Sequence, residues 1–136
     1  MNHVVFSSLS PNWDTPKAVF DELNTEFHFN DDPCPAGGIF GLDRQWGRVS
    51  FVNPPYSQIK EWMEKGLAEY REGKTVVFLI PARTDIRWFH DYVLPFASEI
   101  RFVRGRLKFG GAKINAPFPS MVVIFQSKEI LKGEVT

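Results

Sequence analysis

The chain has 136 residues, which allows one domain over 1–136 built on a single buried core. Its 43% hydrophobic and 24% charged residues are those of a soluble globular protein and exclude a disordered or fibrous class. Formal net charge is zero, so long-range attraction does not recruit a nucleic acid, and a partner of that kind has to be gripped by a local patch. The lone cysteine, Cys34, rules out an intrachain disulfide and suits a reducing, cytoplasmic setting. No apolar run is long enough to span a membrane, and the opening MNHVVFSSLS lacks a signal-peptide pattern, so no membrane partner is expected. One cysteine and three widely separated histidines make no metal-ligand spacing, so no metal is expected either.

The first ten residues read as a loosely held arm. DTPKAVFDELNTEF predicts a helix, with Asp14 or Thr15 as its cap, Pro16 in its first turn and Val19, Phe20 and Leu23 as its apolar stripe. FHFND predicts a short strand that ends at Asp31 and Asp32, and the Pro- and Gly-rich PCPAGGIFG after it is loop. GRVSFVN is a strand tipped by Asn53, Pro54, Pro55 and Tyr56. QIKEWMEKGLAEYREG is an amphipathic helix with Ile59, Trp62, Met63 and Leu67 on one face, stopped by Gly73. KTVVFLIPA is a strand buried on both faces, leading to Arg83. TDIRWFHDYVL predicts a helix that Thr84 caps, and EIRFVRG and PSMVVIFQ are further strands. This alternation predicts an α/β fold with a mostly parallel central sheet. Ligands of such sheets bind outside the carboxyl ends of the strands, so the site is expected where Asp31-Asp32, the Asn53–Tyr56 loop and Arg83 meet.

The Asn-Pro-Pro-Tyr loop suits methyl transfer to an aromatic exocyclic amine. Such a nitrogen is a poor nucleophile because its lone pair is delocalised into the ring. Two acceptors, one for each N–H, draw it towards tetrahedral geometry. The side-chain oxygen of Asn53 and the backbone carbonyl of Pro54 are the candidates. The prolines lack an N–H and fix φ, so the carbonyls are aimed in advance. Tyr56 offers a flat face for a planar base.

With its companion segments WDTPKAVFDELNTEF, DDPCPA, FVNPPYS, VVFLIPARTDIRWFHDYV and GRLKFGGAKINAPFPSMVVIF, the stretch from Trp13 to Phe125 resembles the phage-type Dam family of DNA adenine N6-methyltransferases, which use S-adenosylmethionine. The resemblance implies a small, shortened Rossmann-like methyltransferase fold acting on double-stranded DNA, from a phage or prophage working in a bacterial host cytoplasm. It implies catalytic roles for Asn53, Pro54, Pro55 and Tyr56. It implies that Trp13, Thr15 and Pro16 close over the methionine end of the cofactor. Asp32 and Cys34 then lie beside the cofactor's amino-acid portion, where an acid meets the ammonium group. The segment between Cys34 and Asn53 is shorter than the family's usual insert, and no G-x-G follows the first strand. That leaves Gly37, Gly38 and Gly41 to make a tight turn, and Asp43 as the candidate acid for the ribose hydroxyls.

No separate recognition domain follows, so DNA contact falls to the basic segment RFVRGRLKFGGAKINAPFPS, to the amino-terminal arm or to the second subunit of a homodimer. Within that segment Arg104, Arg106, Lys108 and Lys113 are the candidate contacts, joined by Arg83, and Phe102, Phe109 and Phe118 are interleaved with them. If RGRLK is a strand, period two puts its three cations on one face. Two other readings stand beside this one. One is a protein or RNA amine methyltransferase using the same loop, and the other is a catalytically weak DNA-binding relative.

Overall fold

A computed structural model describes residues 15–35, 40–109 and 115–126. Trp13, Gly37, Gly38 and Lys113 lie outside the described residues. Helix α1 (Lys17–Phe27) buries Leu23 and ends at His28, which turns left-handed at φ 55° and returns its N–H to the carbonyl of Asn24. Pro16, not Thr15, is the N-cap, and Asp14 lies outside the described residues. The Pro16 carbonyl accepts from the N–H groups of Val19 and Phe20, both at 3.1 Å.

The expected strand FHFND shrinks to one parallel bridge, Asp31 with Ser50. Two backbone bonds hold it, Asn30 N–H to the Val49 carbonyl at 2.9 Å and Phe51 N–H to the Asp31 carbonyl at 3.0 Å, and side chains add to them. Asn30 Oδ1 accepts from Val49 N–H at 3.0 Å, and Asp31 Oδ2 accepts from Gly47 N–H at 2.8 Å. The chain then makes a 3-10 turn at Phe40–Asp43 and enters β1 (Val49–Val52). Gly41 fits this turn because a Cβ there would stand 2.2 Å from the carbonyl oxygen of Pro33.

A second 3-10 turn, Tyr56–Gln58, leads into α2 (Ile59–Arg71), which buries Ile59, Trp62, Met63 and Leu67 as the pattern predicts. Gly73 follows at φ 94° and stops it. Gly66 lets α2 sit tightly on the sheet, since a Cβ there would come within 2.6 Å of the Phe78 ring. Strand β2 (Thr75–Pro81) is buried along its whole length, as its unbroken apolar sequence requires. The next helix departs from expectation. It starts at Arg87, runs through a π-turn at Phe89–Val93 and closes as α3 (Leu94–Phe96). Thr84 does not cap it; its carbonyl lies 2.7 Å from His90 Nε2. Strands β3 (Glu99–Phe102) and β4 (Ser120–Phe125) complete the sheet.

The sheet is mixed, with strand order β1-β2-β4-β3. Only β1 and β2 pair in parallel; β4 runs antiparallel to both β2 and β3. This corrects the mostly parallel sheet. A crossover helix joins β1 to β2, but the described part of the connection from β3 to β4 contains no helix long enough for a crossover, and β4 returns in the opposite sense. One face of the sheet packs Val52, Val76, Phe78, Ile80, Met121 and Val123 under α2 and the π-turn helix. The other packs Phe51, Val77, Leu79 and Val122 against α1, Phe109 and Phe118. Among the described residues no helix is long and apolar enough to cross a membrane.

Candidate active site

Because β3 and β2 both oppose β4, the carboxyl ends of β1, β2 and β3 and the amino end of β4 gather at one end of the sheet. Backbone bonds tie these ends together: Ala82 N–H to Pro119 carbonyl at 2.9 Å, and Val103 N–H to Ser120 carbonyl at 3.0 Å. The Asn53 loop, Arg83, the start of the basic segment and Phe118 are thereby assembled at one place.

Asn53, Pro54 and Pro55 are buried at the tip of β1. The Asn53 amide donates from Nδ2 to Thr15 Oγ1 at 3.0 Å, linking the Asn53–Tyr56 loop to the entry of α1. This bond turns the Thr15 hydroxyl towards Asn53, and no side chain caps the helix. It also fixes which end of the amide points away from α1, leaving Oδ1 as the end that accepts. Tyr56 is half-buried and meets Phe118 edge-on, with ring centroids 5.0 Å apart. Burial pushes the Tyr56 hydroxyl far above its usual value, so it remains a neutral phenol. Phe118 in turn packs on Phe109 at 6.1 Å. The sequence offers a signal for Phe118 that went unread. It stands between Pro117 and Pro119, which restrict the backbone beside it as the prolines do after Asn53.

The two acids at the first strand's tip separate clearly. Arg44 clasps Asp31 with two bonds, 2.7 and 2.9 Å, and lowers its pKa together with the N–H of Gly47. Asp31 therefore anchors the short crossover, through an arginine that the sequence pattern did not single out. Asp32 is exposed, yet crowding strips its carboxyl of water and raises its pKa. The Asp31 charge raises it further, while the N–H of Cys34 and the Arg44 charge oppose. Cys34 is buried at 3% exposure within the core, and Asp43 is exposed on the 3-10 turn.

Of these groups, Asp32 would suit the ammonium end of a sulfonium cofactor, while Cys34 packs within the core. A carboxylate short of water gains most from an ammonium partner. At the same sheet end, the hydroxyl of Ser120 is buried and finds no hydrogen-bond partner among the described residues, which a polar ligand would supply. No group of His, Cys, Asp and Glu able to hold a metal ion occurs among the described residues.

The expected strand face of RGRLK is not formed. Residues 103–108 are irregular, and Gly105 sits at φ 72°. Arg104, Arg106 and Lys108 are nonetheless all exposed at the site end. Arg83 is exposed and 3.7 Å from Asp85, a weak surface pairing. Of the interleaved aromatics, Phe109 is buried, Phe118 walls Tyr56 and Phe102 is 65% exposed.

A search of curated proteins found no match for the chain. Residues 40–131 match the family described as DNA N-6-adenine-methyltransferase (Dam), a stretch that holds the Asn53–Tyr56 loop, β2 and the basic segment, and the chain belongs to that family.

Proposed function

We propose that the protein transfers a methyl group from S-adenosylmethionine to N6 of adenine in double-stranded DNA. Family membership gives DNA adenine methylation as the general activity, and the site geometry supports the finer reading. The observation that carries it is the Asn53 amide, buried at the tip of β1 and oriented by Thr15 beside the Tyr56–Phe118 corner.

When bound, S-adenosylmethionine supplies an electrophilic sulfonium methyl group. Asp32 pairs with the cofactor's ammonium, and the exposed Asp43 is the carboxylate offered to its ribose. The target adenine leaves the base stack and lies on Tyr56, with Phe118 closing the far edge. Asn53 Oδ1 and the Pro54 carbonyl accept the two N6–H bonds and localise the lone pair on nitrogen. Transfer of the methyl group to N6, with cleavage of the methyl–sulfur bond to leave S-adenosylhomocysteine, would place positive charge on N6, and these two acceptors would stabilise it most in the transition state. The surplus N6 proton passes to solvent.

The test is mass spectrometry of nucleosides from duplex DNA incubated with protein and labelled S-adenosylmethionine. N6-methyldeoxyadenosine should appear with wild type and be lost in Asn53→Ala, with binding of S-adenosylhomocysteine retained. Label found in protein or RNA, with none in DNA, refutes the proposal.

A further inference from the structure

We infer that Phe102 is an apolar wedge that enters the DNA base stack several steps to one side of the flipped adenine; this rests on the DNA reading above. Three large hydrophobic side chains are exposed among the described residues: Leu94, Phe96 and Phe102. Leu94 and Phe96 lie where the π-turn helix runs back to the start of β3, away from the site, and Arg71 covers the Phe96 ring at 5.2 Å. Phe102 is the most exposed of the three, at 65%, and it sits at the site end on the last residue of β3.

Its position is fixed by the ladder. Phe102 pairs with Met121, and Met121 pairs with Ile80. Val52 pairs with Phe78, so Pro54 continues the same rung on β1. Phe102 therefore stands level with the catalytic loop, three strand spacings away, about 14 Å at ~4.8 Å each. That span is about four base-pair steps at ~3.4 Å each.

The surroundings of Phe102 select the occupant. Arg104, Arg106 and Lys108 follow it within six residues and are exposed, complementary to phosphates on either side of a groove. A second copy pairing through the β3 edge fits less well. Arg101 on that strand is held by Glu26, with both contacts at 2.7 Å, and by Glu99, so the edge is covered with charge. An exposed phenylalanine beside cations matches the side chains that minor-groove and architectural proteins insert between base steps.

The test uses duplexes containing the adenine methylated by the wild-type protein, with 2-aminopurine scanned through the flanking positions. Wild type should give one fluorescence maximum at the target and a second roughly three to five steps to one side. Phe102→Ala should keep the first and lose the second, with affinity down about tenfold and the melting temperature unchanged because the ring is exposed. Phe102→Trp should restore the second maximum. A second maximum that persists in Phe102→Ala, or is absent in wild type while methylation proceeds, overturns the wedge alone. Failure of the wild type to bind DNA overturns the DNA reading with it. A dimer in sedimentation that Phe102→Ala dissolves assigns the ring to a second copy and likewise overturns the proposal.

Discussion

At Thr15 and Asn53, one hydrogen bond of 3.0 Å orients an amide, and under the proposed function it decides which atom would face the substrate. Thr15→Val removes the acceptor while keeping the shape, so kcat should fall about fivefold, the effect of losing roughly 1 kcal/mol of orientation. Thr15→Ser should restore it, whereas Asn53→Ala should cost much more. If Thr15→Val changes only cofactor affinity, the residue acts on the cofactor and not on the amide. The tip of the first strand gives a second expectation. Asp31→Asn should lower the melting temperature by loosening Arg44, and Asp32→Asn should leave stability largely intact but weaken S-adenosylhomocysteine binding. Because the Asp32 carboxyl is held above its ordinary value of 3.8, its negative charge is lost at a higher pH than usual as the solution is acidified. Cofactor affinity, measured by calorimetry, should therefore begin to fall before ordinary carboxylates titrate, and Asp32→Asn should abolish that early fall. The place of Asn53 at the tip of a strand was legible in the sequence, because an apolar run closed by two prolines marks a strand end. The partnership of Thr15 was not, since a threonine before a proline is also what a helix cap looks like.

The helices followed from spacing: the buried face of α2 is the one its apolar residues predict. One member of that helix broke the pattern. Glu69 is 2% exposed and accepts from Lys65 at 2.7 Å, from Lys74 and from the backbone N–H of Trp46 at 3.1 Å. It ties α2 to the crossover, whose Trp46 ring also donates to the carbonyl of Gly41 at 2.7 Å. Burial alone would raise the Glu69 pKa, but these donors prevail and lower it below 4.5. A lowered folded-state value means that the carboxylate stabilises the protein at neutral pH. That contribution drains away as pH falls from the ordinary glutamate range through the folded value. Glu69→Ala should cost about 3 kcal/mol in urea unfolding, towards the low end for a buried pair because both lysines reach water. It should also flatten the acid limb of the stability profile. Equal stability of the variant and wild type at neutral pH would show that the crossover holds without this tie. A glutamate on a helix normally reads as solvent-facing, and its burial became visible only once Trp46 was placed beside it. The FHFND strand stayed a single bridge: beyond two backbone bonds, the Asn30 and Asp31 side chains satisfy the N–H groups of Val49 and Gly47.

For the molecule as a whole, sheet sense was the least legible property. Apolar runs mark strands but carry no direction, and the insertion of β4 between β2 and β3 is set by contacts distant in sequence. That same arrangement carries the start of the basic segment to the catalytic end, although RGRLK never becomes a strand. With zero net charge overall, DNA affinity should depend on this segment and on few other residues. Replacing Arg104, Arg106 and Lys108 together with Gln should weaken binding on every sequence. It should also reduce the slope of log affinity against log salt by up to three times about 0.9. Fluorescence anisotropy across a salt series measures this, and an unchanged slope would make the segment a solvated face only.

The edge-on contact of Tyr56 with Phe118 joins two tasks that a larger enzyme would assign to separate domains. Phe118 belongs to the connection that also carries the cations, so under the proposed function a duplex pressing on that connection would press on the wall of the base pocket. Gripping a strand and cradling its extruded base become a single mechanical act. Short oligonucleotides that reach the pocket but not the cations should then react slowly even at saturation, and turnover should rise with duplex length until both are engaged.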